Sequence, residues 1–207
     1  MFSKRIFAST LVMASIVALA APAAAASDPA IAQVEQSLAA TESMTATFIQ
    51  TDGKGRQMPG RLSLKRPGRI RFEFGSGSDM LLVANGSTLN FLDYAVGQKS
   101  SWPIAKSPLA VLLGATPDLG RIARTLPTQD PRVVLVRARD ARRPEFGTLI
   151  LAFVKTPGAP GGLQLEGWTA VDAQNKKTTV KLDGQRYNVP IPETAFQFAE
   201  PQKRRRG

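Results

Sequence analysis

Residues 60–74 read G-R-L-S-L-K-R-P-G-R-I-R-F-E-F, and their polarity alternates with a period of two. That is the period of a β-strand, whose successive side chains leave opposite faces. Leu62, Leu64 and Arg66 fall on one face, and Arg61, Ser63 and Lys65 on the other. After Pro67-Gly68 the alternation resumes, with Ile70, Phe72 and Phe74 against Arg69, Arg71 and Glu73. Two strands and a turn therefore build one large apolar face. Arg66 is the exception on it. A charge aimed at apolar surface is costly unless it is paired or hydrogen-bonded. Two readings stand: Arg66 ends the strand and snorkels to water, or it forms a polar latch at the mouth of an apolar cavity.

The rest of the chain supplies more strands of the same kind. Ser27-Asp28-Pro29 is a helix start, and Ile31, Val34 and Leu38 follow at spacings of three and four, predicting an amphipathic helix that ends near Glu42 and packs on a sheet. Residues 44–51 alternate as a strand. Residues 79–84 and 87–94 flank Asn85-Gly86, the strongest short hairpin signal. Residues 99–103 give another strand. Further strands are predicted at 132–139, 148–154, 163–172 and 178–182, with a last short one at 196–198. Asp183-Gly184 and Pro190-Ile191-Pro192 read as breaks.

Two segments interrupt this series. Ser107-Pro108-Leu109-Ala110-Val111-Leu112-Leu113-Gly114 reads as a short helix with Ser107 as its cap and Gly114 past its end, apolar almost all round. Such a helix is either buried as ordinary core or covers something apolar. Residues 116–126 predict a second helix, from Leu119, Ile122 and Leu126. About ten short strands with tight turns and few helices mean a mainly β fold, an antiparallel sheet that is curled or barrel-like, with helices over one mouth or face.

The ends of the chain bound its compartment. Lys4 and Arg5, the apolar run of residues 6–21 and Ala24-Ala25-Ala26 predict a secretory signal peptide over residues 1–26, cleaved near Ala26. Residues 27–200 are then read as one domain, and residues 201–207, with Lys203-Arg204-Arg205-Arg206, as a basic tail whose default is disorder. Without Lys4 and Arg5 the chain has 25 basic and 16 acidic residues, a net charge of +9. Export argues against nucleic acid as the partner of that charge and leaves anionic membrane or acidic proteins.

The chain contains no Cys and no His. That removes Ser-His-Asp and Cys-His nucleophiles and thiolate or imidazole metal sites. Glu73, Asp79 and Asp93, the carboxylates nearest the organising stretch, have no spacing that pairs them as acid and base. No enzyme, metal or cofactor is expected. The available function is containment. Phe48, Leu62, Leu64, Ile70, Phe72 and Phe91 are predicted to line the concave side of the sheet, and Leu109, Leu112 and Leu113 to close it from the short helix. An exported container suits hydrophobic cargo, because burying an acyl chain gains about 0.8 kcal/mol per methylene.

Here the residues carry a resemblance. The pieces M-T-A-T-F-I-Q, G-R-L-S-L-K-R-P-G-R-I-R-F-E-F and M-L-L-V-A-N-G-S-T-L-N-F, then S-P-L-A-V-L-L and F-Q-F-A-E-P-Q, resemble in their order and spacing the periplasmic outer-membrane lipoprotein carrier family, LolA. The resemblance implies an incomplete antiparallel barrel closed by helices. It implies a monomeric carrier of the acyl chains of lipoproteins, which receives them from an inner-membrane releasing transporter and delivers them to an outer-membrane acceptor. The family's lid-latching Arg falls on Arg66, and its bulky cavity aromatics on Ile70 and Phe72, the first of which is aliphatic here. Two alternatives remain open: a barrel of this kind that binds lipid or lipopeptide as a sensor or chaperone without transfer, and a basic adaptor on anionic membrane.

Overall fold

The computed structural model describes residues 28–202 except Ser76; the expected signal peptide and residues 203–207 of the basic tail lie outside the described residues. A helix, α1 (Pro29–Ala40), opens the chain. Six strands follow: β1 (Ser43–Thr51), β2 (Gln57–Lys65), β3 (Arg69–Phe74), β4 (Met80–Asn85), β5 (Thr88–Asp93) and β6 (Gln98–Pro103). A one-turn helix, α2 (Ala110–Leu113), precedes β7 (Ala123–Leu126), β8 (Val133–Ala138), β9 (Thr148–Lys155), β10 (Leu163–Val171) and β11 (Lys177–Tyr187). The eleven strands of the described residues form one antiparallel sheet in the order β6-β5-β4-β3-β2-β1-β11-β10-β9-β8-β7. β6 and β7 are its two edges and do not pair, so the sheet is not closed into a barrel.

It is nevertheless strongly curled. β3 and β10 stand four strands apart, about 19 Å in a flat sheet. Yet the rings of Phe72 on β3 and Trp168 on β10 meet edge to face with centroids 6.0 Å apart. One face of the sheet is thereby folded around a common apolar interior, to which Phe48, Leu62, Ile70, Val136, Leu151, Phe153 and Leu182 all belong. Helix α1 seats Ile31, Val34 and Leu38 in the same interior. It is fixed by Ser37 Oγ donating to the Leu163 carbonyl at 3.2 Å, and by Glu35 accepting from the Leu119 and Gly120 N–H groups.

The outer face carries a second apolar cluster. Leu81, Val83 and Leu92 pack there against Ile191 and Phe196. The run Leu81-Leu82-Val83-Ala84 is apolar without alternation because both faces of β4 are covered. The segment that covers it is clipped by Glu193, which lies 2.7 Å from Lys65 Nζ and 2.6 Å from Arg69 Nε.

Four expectations are corrected. Residues 116–126 form no second helix. One turn, with Ile122 and Ala123 N–H donating to the Leu119 carbonyl, leads straight into β7, because pairing to β8 overrides the helical spacing. Residues 196–198 form no strand: residues Glu193–Phe196 make a 3-10 turn that packs on the outer face, where no strand edge is free to pair. The Asp183-Gly184 break is a bulge, so β11 runs on to Tyr187. The short helix starts at Ala110 without a side-chain cap, and Ser107 lies before it.

Two tests follow from this packing. Gly60 on β2 is paired with Phe48 on β1, and a Cβ there would stand 2.4 Å from the Phe48 ring and 2.3 Å from the Glu73 carbonyl. Gly60→Ala is expected to lower stability by about 1–3 kcal/mol through overpacking, seen as a lower urea midpoint; an unchanged midpoint refutes the contact. The second test concerns Glu193, whose carboxyl is held below its usual range, first by the hydrogen bond from Lys65. A depressed folded-state pKa stabilises above the unfolded value and ceases to do so as pH falls through the folded one. The stability gap between the parent and Glu193→Gln should therefore shrink as pH is lowered through the carboxylate range. A gap constant with pH excludes the ionic clip.

Candidate functional site

The register of the strands builds the site row by row. Residues directly opposite each other share a face. One row runs Ala46, Leu62, Phe72, Leu82, Phe91 across β1 to β5, and the next runs Met44, Leu64, Ile70, Ala84, Leu89, Trp102 across β1 to β6. The Phe48 ring stands edge-on to Phe72 at 5.4 Å and to Phe74 at 5.6 Å. Phe48, Leu62, Leu64, Ile70 and Phe72 are buried in the interior; Phe91 is half-buried at its mouth. Leu109, Leu112 and Leu113 of the short helical segment are buried against the same face. At the mouth an open pocket of about 480 Å³ is lined by Phe74, Phe91, Trp102, Leu109 and Trp168, with Lys106, Glu145 and Asp172 at the same opening.

Trp102 and Trp168 are the lining residues that sequence alternation does not reveal. A bulge shifts the β10 register between Leu165 and Gly167, so Leu165 and Trp168 are both buried in the interior although three positions apart. Trp102 sits in the polar edge strand Q-K-S-S-W-P, which carries no apolar alternation.

Arg66 joins this interior to both helix ends. Its Nε donates to the Gly114 carbonyl at 3.2 Å, and its terminal nitrogens donate to the carbonyls of Gly114 and Leu38. Leu38 is in the last turn of α1 and Gly114 is the residue after α2, where helices leave carbonyls without internal donors. The Arg66 backbone N–H donates to the Glu42 carbonyl, and Gly68, two residues on in the same turn, donates its N–H to the Leu113 carbonyl at 2.9 Å. Gly68 has φ +76°, and a Cβ there would lie 2.2 Å from the Gly86 carbonyl oxygen, so only glycine permits this turn. Burial pulls the Arg66 guanidinium below its usual pKa, but a guanidinium starts so high that it stays charged. Lys65, on the opposite face, donates to the Ile191 carbonyl at 3.0 Å and anchors the outer segment.

The described residues contain no group of three or more Asp or Glu placed to hold a metal ion, and no helix long and apolar enough to cross a membrane. What the geometry offers is an apolar interior beneath a one-turn helix that is tied down at its C-terminal end. Residues 39–199 match the family model described as Outer membrane lipoprotein carrier protein LolA.

The chain belongs to the LolA family.

Relatives agree over most of its length. It is 28% identical over 184 residues to the outer-membrane lipoprotein carrier protein of Coxiella burnetii (strain CbuK_Q154), spanning 84% of each chain. It is 26% identical over 206 residues to the protein of that name from Chromobacterium violaceum, covering 96% of this chain and 95% of the relative. Among solved structures it is similar to the LolA superfamily protein NE2245 from Nitrosomonas europaea, with TM-score 0.45, 8% identity, and coverage of 84% of this chain and 99% of that one. It is also similar to the Pseudomonas aeruginosa MucA/MucB complex, with TM-score 0.49, 13% identity, and coverage of 85% and 63%.

In this LolA-family chain α2 is only four residues long. A helix of one turn has almost no stability of its own and depends on its contacts. The amides of residues 112–114 are therefore expected to exchange with solvent faster than those of Leu64 and Phe72 in the paired strands. Equal protection in hydrogen-exchange measurements would show that the segment does not open separately from the sheet.

Proposed function

We propose that the chain is a periplasmic carrier that takes the acyl chains of lipoproteins into its apolar interior, receiving them at the inner membrane from a releasing transporter and handing them to an outer-membrane acceptor. The observation that carries this reading is a curled, unclosed sheet whose apolar face is covered by a one-turn helix held through Arg66 and Gly68. The names of the relatives agree with it. The part of the interior covered by the 12-residue α1 is permanent core. The part covered by Leu109, Leu112 and Leu113 on a tethered turn can exchange those side chains for other apolar groups.

The energetics suit transfer as well as binding. A long acyl chain buried at about 0.8 kcal/mol per methylene gains on the order of 10 kcal/mol. Opening the cover breaks the Arg66 hydrogen bonds, worth about 1.5–3 kcal/mol for a charged donor. Cargo is then held less tightly than burial alone allows, and the empty closed state favours release. Arg66 acts here as a latch.

Two measurements test this. Mass spectrometry of the protein purified from its native periplasm should find acylated protein or lipid in stoichiometric amount. Arg66→Leu should bind a labelled acylated protein at least as well as the parent but transfer it poorly to acceptor-bearing membranes, about ten-fold or more slower if the latch is worth 1.5 kcal/mol or more. Arg61→Leu, at an outward position with 80% of its side chain exposed, is the control and should transfer normally. If Arg66→Leu transfers as fast as the parent, Arg66 is no latch.

A further inference from the structure

A second cleft adjoins the apolar mouth, and the two differ in chemistry. It measures about 570 Å³ and lies between the α2 segment, at Pro108, Ala110 and Val111, and the residues that flank β7 and follow β8. Arg121, Arg139, Arg142 and Arg143 line it, with Asp118 and Asp140. Asp140 is committed: it accepts from Arg143 Nε at 2.7 Å and from the Arg142 backbone N–H at 2.9 Å. Arg143 also lies over the Phe146 ring, 4.9 Å from its centroid. Arg121, Arg139 and Arg142 form no salt bridge among the described residues, so the cleft has three uncommitted guanidiniums against one uncommitted carboxylate, Asp118.

Ser107, Pro108 and Phe146 line both this cleft and the apolar mouth. Ser107 is only 7% exposed, and its hydroxyl, itself buried, has no hydrogen-bond partner among the described residues. Buried hydroxyls are nearly always partnered. An unpartnered one at the junction of an apolar and a cationic chamber therefore points to a ligand with a polar link between its two ends.

We infer that the two chambers together form a site for an anionic glycerolipid. Its acyl chain occupies the apolar mouth, its glycerol ester meets Ser107 once the segment before α2 shifts to uncover that hydroxyl, and its phosphate lies among Arg121, Arg139 and Arg142. Guanidinium groups match phosphate oxygens in paired hydrogen bonds. The order of chemistries along the groove is that of the lipid itself: chain, ester, phosphate. The inference rests on the carrier reading for the apolar chamber alone; the headgroup site stands on the cleft.

The test titrates the purified full chain calorimetrically with monomeric palmitoyl lysophosphatidylglycerol, with uncharged monopalmitoylglycerol and with inorganic phosphate. Lysophosphatidylglycerol should bind about ten-fold or more tightly than monopalmitoylglycerol, as expected for hydrogen bonds from charged donors. Combining Arg121→Gln, Arg139→Gln and Arg142→Gln should abolish that preference while monopalmitoylglycerol binds as before, which also shows that the variant is folded. Ser107→Ala should weaken both lipids, since both carry the glycerol ester. Equal binding of the two lipids by the parent, or a preference that survives the triple substitution, overturns the headgroup site. Phosphate binding alone as tightly as the lipid would make the cleft a free-anion site and overturn the lipid assignment. An acidic peptide that binds through the same three arginines, with no lipid preference, would assign the cleft to a protein partner instead. Failure of monopalmitoylglycerol itself to bind the parent would count against the carrier reading, a different outcome from loss of the charge preference.

Discussion

The structure turns on a single guanidinium in a place where a charge is costly. Arg66 continues the apolar face of β2, and its neighbours in space are the interior residues Leu38, Met44, Leu64, Leu112 and Phe153. It is tolerated because two helix ends offer carbonyls that lack internal donors. The requirement is mutual. The C-terminal ends of α1 and α2 need donors, the guanidinium needs acceptors, and the turn at Pro67-Gly68 places them together. Replacing the arginine with an apolar residue satisfies the interior but removes the donor that both carbonyls share.

Around this point the sheet solves a second problem. Eleven strands that curl without closing leave two edges and two faces to cover. The inner face is covered by α1 and the α2 segment, and part of the outer face by the segment carrying Ile191 and Phe196. The two covers are attached differently. The outer one is held by Glu193 between Lys65 and Arg69, by Arg71 donating to the Gln197 carbonyl at 2.9 Å, and by Lys99 paired with Glu200. Within the inner one, the α2 segment is tied at Ile104, through the Ser87 carbonyl, and at residues 113–114. A cover with ties at its two ends and apolar packing between them opens at the cost of those few bonds. One clipped along its length does not.

Much of this was legible in the sequence. Period-two alternation located β1, β2 and β3 and the apolar face of each, because a strand buried on one side must alternate. The Asn85-Gly86 hairpin was legible because φ +145° at Gly86 is open chiefly to glycine. What escaped was set by tertiary pairing. β7 carries helical spacing and is a strand only because the edge of β8 is free to receive it. Trp168 points inward only because a bulge resets its register. The outer cluster was hidden because Ile191 and Phe196 lie in a stretch broken by prolines, where no periodicity marks a buried face. Arg66 was conspicuous as a charge on an apolar face, but which carbonyls would receive it depended on where two distant helices end.

The same reasoning bears on why the interior is both full and exchangeable. Its deep residues, such as Ile70, Leu112 and Leu113, are at most 1% exposed, so cargo has no empty chamber waiting at that depth. On the proposed reading, an acyl chain enters from the mouth lined by Phe91, Trp102 and Trp168 and displaces Leu109, Leu112 and Leu113 from the sheet, so apolar contact is traded for apolar contact. The net driving force is then smaller than the full burial of the chain, because the leucines it expels are returned to water, and the latch bonds are lost in addition. A carrier that must release its cargo gains from such an exchange. A pre-formed empty cavity would hold an acyl chain by its whole transfer free energy, whereas an interior already filled by its own cover holds it by a difference, and that difference is tuned by how strongly residues such as Arg66 and Gly68 favour the closed state.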